Sequence, residues 1–225
     1  MTDSIDSAAK SRPSKTKERQ FKGLSMAERQ QARREKLIEA GIEAYGSYGF
    51  FSVTVKDICN EAKLTERYFY ESFKKSEHLF QTIFLKLIDE LQQNVMQAMM
   101  QASSDPKKMI EAGLTALLTT LRDNPRMARI IYIDAMLVQE LHNQATIHET
   151  MSRFDRMIHA SVMLMMPQLN RSEQEISLVS TGLNGYVTQI AIRWVMSGFK
   201  HSLEEVLSSC SVVFLALLES FSEKK

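Results

Sequence analysis

Apolar residues recur at intervals of three and four along most of this chain, and no stretch alternates as a half-buried strand does. The pattern predicts an all-α protein. Ser25 and Glu28 have the spacing of a capping box, and the helix they open runs towards Gly49. On it, Leu37, Gly41, Ala44, Tyr45 and Tyr48 are expected to share one face. Thr54 and Asp57 repeat the cap spacing ahead of a short stripe of Val55, Ile58, Cys59 and Ala62. Thr65 is expected to cap a third short helix carrying Phe69 and Phe73.

Longer elements follow. One helix is expected from about Ser76 to Ala102. Asp105-Pro106 and Asn124-Pro125 each read as an N-cap with proline at the first helical position. Another helix is expected over about 143–166, stopping before Pro167. Ser172 with Glu175, and Ser202 with Glu205, are two further capping boxes, and Gly198 is a C-terminal stop. The total is about nine helices, three short ones at the front and about six longer ones.

Residues 54–73 carry the most chemistry. Two short helices joined by Ala62-Lys63-Leu64 match the plan of a helix-turn-helix. Ile58, Ala62, Leu64, Phe69 and Phe73 must face inward to hold the crossing angle. The first turn of the second helix then presents Glu66, Arg67 and Tyr68. Arginine can bond guanine O6 and N7 in bidentate fashion, and a carboxylate can accept from cytosine N4. The hydroxyls of Thr54, Thr65, Tyr68 and Tyr70 suit phosphate oxygens. Plainer roles compete: Tyr70 as a cover on a small core, and Glu66 as a first-turn acid favoured by the helix dipole.

A longer pattern embeds this unit. Leu37-Ile38-x-Ala40, Tyr45, Tyr48-Gly49-Phe50, Val53-Thr54-Val55-x-Asp57-Ile58, Ala62-Lys63-Leu64-Thr65, Phe69-Tyr70-x-x-Phe73 and Glu77-x-Leu79 resemble the N-terminal domain of TetR-family bacterial transcriptional regulators. The resemblance implies a three-helix DNA-binding head on a larger helical body, acting as a homodimer on palindromic double-stranded operator DNA. It places Thr54, Thr65, Arg67, Tyr68 and Tyr70 at the DNA. The chain departs from the family pattern in having Ser76 where lysine is usual and Ser72 where histidine is frequent. Lys74 or Lys75 is then the candidate for the missing phosphate contact. Lys63 stands where glycine is common, which predicts a strained or differently shaped turn.

Charge and composition refine the reading. The chain of 225 residues has a net charge of only +1, so its overall balance says nothing about a polyanionic partner. The distribution says more: Lys10, Arg12, Lys15, Lys17, Arg19, Lys22, Arg29, Arg33, Arg34 and Lys36 face only Glu18, Glu28 and Glu35 over the same stretch. Such an end is either a polyanion-facing arm or a solubilising tail. Residues 1–24 read as this arm, 25–76 as the helix-turn-helix domain and 77–225 as a ligand-binding and dimerisation domain. Cys59 and Cys210 are too few for a disulfide framework and fit a reducing cytoplasm. No secretory leader and no membrane-spanning run is evident. Motifs for nucleophilic, phosphate-cradling or zinc chemistry are lacking, so no enzyme and no cofactor is expected.

The body suggests two further functions. One stripe of residues 173–197 is Ile176, Val179, Leu183, Val187, Ile190 and Trp194, and another is Leu178, Gly182, Gly185, Gln189, Ile192 and Met196. A helix apolar on two sides needs two partners, one of them a symmetry mate, with Gly182 and Gly185 allowing close approach. Val213 and Leu217 of the final helix are expected to join that seam. The middle helices are rich in methionine, which re-packs around variable apolar shapes. The resemblance implies an effector pocket there, for a hydrophobic or amphipathic small molecule. Thr115, Thr119, Tyr132, Asn184, Tyr186, Gln189 and Trp194 are candidates to orient it. His148, Ser152, Asp155 and His159 share a face next to an apolar one (Ile147, Met151, Phe154, Ile158) and read as a solvated stripe, not a metal site. A body that engages a protein partner, with a filled core and an exposed apolar patch, is the alternative.

Overall fold

The computed structural model describes residues 25–102, 104–143, 145–166 and 171–222, and the basic segment before Ser25 lies outside them. All regular structure among these residues is helical. Three elements build the head: α1 (Met26–Tyr48), α2 (Val55–Glu61) and α3 (Glu66–Ser72), with a 3-10 turn at Phe50–Ser52. The body contains α4 (Ser76–Gln101), α5 (Pro106–Asp123), α6 (Pro125–Arg129), α7 (Ala135–Leu137), α8 (Gln139–Asn143), α9 (Thr146–Met165), α10 (Glu173–Met196) and α11 (Leu203–Ser222). A five-residue π-helical turn, Ile130–Asp134, joins α6 to α7.

Local chemistry sets the boundaries. The Ser25–Glu28, Thr54–Asp57, Ser172–Glu175 and Ser202–Glu205 boxes all form reciprocally. Asp105 and Asn124 cap α5 and α6, each with proline just inside. Gly49 stops α1 at φ 87°, a conformation that side chains with a Cβ rarely adopt. Three expectations need correction. The first helix is not short but spans 23 residues. Thr65 occupies the N-cap position of α3, but its side chain makes no capping hydrogen bond. Tyr48, expected inside, is exposed, because α1 ends there and its last turn projects past the core.

The head core is dense. Leu37, Tyr45, Ile58 and Phe69 are fully buried, with Ile38, Cys59 and Phe73 close behind. Burying each large side chain contributes about 1.5–3 kcal/mol. The core continues into the body through an aromatic cluster in which Tyr45 and Phe50 both pack edge-on against Phe80 of α4 or at a tilt to each other. A second junction joins α1 to α6. Gly46 lies so close to Arg126 that a Cβ there would overlap it. Arg126 pairs with Glu43 at 2.6 Å and donates to Ser47 at 3.1 Å. In the body, α4 packs on α5, α5 on α11, and α9 on α10.

Candidate functional site

The head presents α3 to solvent along its first turn. Phe69 and Phe73 anchor the buried side, and the rings of Phe69 and Tyr70 meet edge-to-face at 5.4 Å. Thr65, Glu66, Arg67 and Tyr70 stand exposed opposite. Tyr70 is 58% exposed and is therefore no cover on the core. The Arg67 side chain is 85% exposed and ion-pairs with Glu71 one turn on, at 3.0 Å. Glu71 also lies 3.9 Å from Arg33 of α1, whose guanidinium sits over the Tyr68 ring at 4.4 Å. Tyr68 is thus half-buried and positions an α1 cation beside α3. Sequence reasoning missed Arg33 and Glu71. Glu71 was signalled only by its helical spacing to Arg67 and Arg33 only by its place in the basic stretch, while the link between α1 and α3 is tertiary.

The flanks of α3 follow the same logic. Thr54 donates its hydroxyl to Asp57 at 2.6 Å, and these hydrogen bonds hold the Asp57 carboxyl below its ordinary range. Lys63 adopts φ 54°, the left-handed conformation that its place in the turn demands and that glycine would accept more easily. Lys63, Lys74 and Lys75 are all exposed. Lys75 is the N-cap of α4, and Ser76 is its first residue.

Two cavities lie among the described residues of the body. The first, about 100 Å³, is lined by apolar side chains including Met99, Met157, Met165, Leu217 and Phe221. The second, about 180 Å³, lies under the π-helical turn and is lined by Ile131, Tyr132, His142, Thr150, Met151 and Thr188, among others. Leu117, Phe154, Asn184 and Val187 line both and form the wall between them. The expected effector residues therefore divide. Tyr132 and Asn184 reach cavities. Thr115 is exposed and Thr119 part-buried, and neither lines a cavity. Tyr186 instead ties α10 to α11 by donating to the Ser209 carbonyl at 3.0 Å. Trp194 is buried, donates to the His201 carbonyl at 2.9 Å and packs edge-on against Phe199. With Gln189 it borders only an open surface groove. These side chains serve packing because their helix faces turn to neighbouring helices, which spacing alone does not show.

Two other expectations shift. Leu217, expected at a dimer seam, turns into the apolar cavity, and Val213 is part-buried. The outward apolar residue of α11 is Val212, 62% exposed. On α10 most of the second stripe faces out: Leu178 is 74% exposed and Met196 69%, and a Cβ on Gly182 or Gly185 would meet nothing within 4 Å, but Ile192 is part-buried and lines the larger cavity. The α9 stripe is less solvated than expected. Asp155 accepts from Thr181 at 3.0 Å and from Asn184 at 2.8 Å, clamping α9 to α10. No metal-holding cluster occurs among the described residues. Nor is any helix there long and apolar enough to cross a membrane.

The π-helical turn touches both sites. Tyr132 lines the larger cavity, while Asp134, two residues on, is buried and lies 3.5 Å from Arg129, whose guanidinium sits close over Gly49 of the head. Burial pushes the Asp134 carboxyl up, and Arg129 and the Phe50 amide partly offset this.

No family model matches the sequence, and no curated protein is significantly similar to it. Solved structures are. The fatty acid degradation regulator FadR of Bacillus halodurans superposes with a TM-score of 0.69 at 15% identity, over 80% of this chain and 93% of that one. The chain has the fold of the TetR-family transcriptional regulators. A TetR-family regulator from Pectobacterium atrosepticum matches over 88% of this chain and 97% of its own, with a TM-score of 0.67 at 14% identity. FadR from Bacillus subtilis, solved in complex with stearoyl-CoA, gives a TM-score of 0.65 at 15% identity over 80% of this chain and 96% of that one. The TetR fold thus spans head and body alike, well beyond the head residues that carried the resemblance in sequence.

Proposed function

We propose that this chain is a transcriptional repressor that binds palindromic operator DNA as a homodimer and releases it when a small hydrophobic or amphipathic effector fills the body. In this reading residues 1–24 are a basic arm, 25–76 the DNA-binding head and 77–225 the effector and dimerisation body. The observation that carries it is the exposed first turn of α3. A filled core holds Glu66 and Arg67 outward, with Tyr70, Lys63, Lys74 and Lys75 around them for phosphates.

The outward stripe of Leu178, Gly182, Gly185 and Met196, with Val212, supplies the dimer seam that a two-half-site reader needs. Partly open, largely apolar cavities in the body favour a small molecule over a protein partner, which would call for a filled core. Release follows if the effector prefers the conformation with the wrong spacing of heads.

Selection of bound fragments from a random DNA pool tests the proposal. The expected outcome is an enriched inverted repeat bound by a particle of twice the chain's 25.8 kDa, with affinity falling steeply as salt rises. Recovery of no enriched sequence would sink it.

A further inference from the structure

The larger cavity narrows the chemistry of its occupant. Its lining includes no lysine, arginine, aspartate or glutamate. A carboxylate or phosphate buried there would lose hydration with no lysine or arginine beside it, which costs several kcal/mol, and His142, the one titratable base in the lining, already turns its Nε2 to the Met136 carbonyl.

The polar groups present are almost all committed. The Thr150 hydroxyl donates to the Thr146 carbonyl at 2.8 Å. The Asn184 amide donates to Asp155 at 2.8 Å and to the Met151 carbonyl at 3.3 Å, while its oxygen accepts from Thr188 at 3.5 Å. His142 Nε2 lies 3.1 Å from the Met136 carbonyl oxygen. Tyr132 is different. Its hydroxyl has no hydrogen-bond partner among the described residues, and burial alone pushes its phenol well above the ordinary range, so it remains a donor. It also lies on a π-helical turn, a local irregularity that recurs at functional sites.

Size sets the remaining limit. An engineered cavity of about 150 Å³ lined by leucine, isoleucine and phenylalanine takes up benzene. At about 180 Å³ the Tyr132 cavity holds one ring with a small substituent, whereas the apolar cavity beyond Phe154, at about 100 Å³, does not.

We infer that the body binds a compact, uncharged, single-ring molecule in the Tyr132 cavity, held by a hydrogen bond from the Tyr132 hydroxyl to a carbonyl or hydroxyl oxygen of the ligand. The inference rests on reading the body as an effector site.

Calorimetric titration of the full chain with three probes of similar shape tests it. Acetophenone carries an acceptor, ethylbenzene carries none and benzoate carries a charge. Saturable binding is expected for acetophenone, about tenfold weaker binding for ethylbenzene, which leaves the tyrosine hydroxyl unmatched, and none for benzoate. Tyr132→Phe should weaken acetophenone about fivefold and should not weaken ethylbenzene, whose binding tightens as the unmatched hydroxyl is removed. Absence of saturable acetophenone binding, parity of acetophenone and ethylbenzene, tight benzoate binding, or an indifferent Tyr132→Phe variant would each overturn the inference. The comparison of probes on the unaltered chain needs no variant to fold.

A parallel gel shift on pool-selected DNA separates this from the effector reading. Acetophenone that binds without releasing DNA keeps the ligand class and overturns effector release. Release by a charged compound, with no acetophenone binding, overturns the ligand class and keeps effector release.

Discussion

Head and body are built from the same kind of helix but fill space differently. In the head, α1 and two short helices close over Leu37, Tyr45, Ile58 and Phe69 with full burial, and polar side chains occupy the outside. In the body, long helices leave two cavities, with methionines on their walls and an apolar stripe facing out on α10. On the proposed function, a surface that presents Arg67 to a duplex needs a support that does not yield, and a chamber that accepts a ligand needs walls that do. Under the proposed function, stability and recognition coincide in the head, while incomplete packing in the body leaves room for regulation.

The contrast can be broken by truncating one ring in each region. Phe69→Ala should cost about 3–5 kcal/mol, because a filled core cannot collapse around the void. Phe154→Ala, at the wall between two existing voids, should cost less than half as much. Urea denaturation of both variants decides it, and equal losses would mean that the body is packed as tightly as the head.

Next in size is a change that touches recognition alone. Arg67→Ala should lose about 1–3 kcal/mol of specific DNA binding. Its melting temperature should stay unchanged, since the side chain is almost wholly exposed and its pair with Glu71 is a surface one. A lowered melting temperature with unaltered DNA affinity would make Arg67 a structural residue.

Smaller still is the turn. Lys63→Gly relieves a left-handed lysine but adds chain entropy to the unfolded state, so a net gain of no more than about 1 kcal/mol is expected in a urea melt. The same variant should show a shallower salt dependence of DNA binding if Lys63 meets a phosphate.

The finest test uses pH. Asp57, held low by Thr54, contributes stability that is present above the ordinary carboxylate pKa and lost as pH falls through its depressed folded value. Asp134, raised by burial, contributes the opposite sign: its share is present below the ordinary pKa and lost as pH rises through the raised folded value. Asp57→Asn should therefore flatten the acid limb of a stability–pH profile, and Asp134→Asn should steepen it. Profiles that shift the same way would refute the assigned causes.

Much of the head was legible because its information is local. The Ser25–Glu28 and Thr54–Asp57 caps, the Ile58–Ala62 stripe and Phe69 all follow from spacing within a turn or two, and the anomalous Lys63 was visible as a lysine where a turn wants glycine. The Arg33–Tyr68 stack was not, because it joins side chains from α1 and α3. In the body, helix starts at Asp105, Asn124, Ser172 and Ser202 were equally plain, yet the fate of each polar residue was not. Tyr186 and Trp194 looked like ligand contacts and proved to be ties to Ser209 and His201. Leu217 looked like a seam and lines a cavity.

The sequence by itself determined the all-helical class, most helix starts and the outward first turn of α3, since caps and periodicity act over a few residues, but not the π-helical break after α6. Only the tertiary structure decided which helix faces meet, where space is left between them, and that Tyr132, among the described residues, brings an uncommitted hydroxyl to that space. Those outcomes depend on crossing angles and on the shapes of distant side chains, which no local pattern contains.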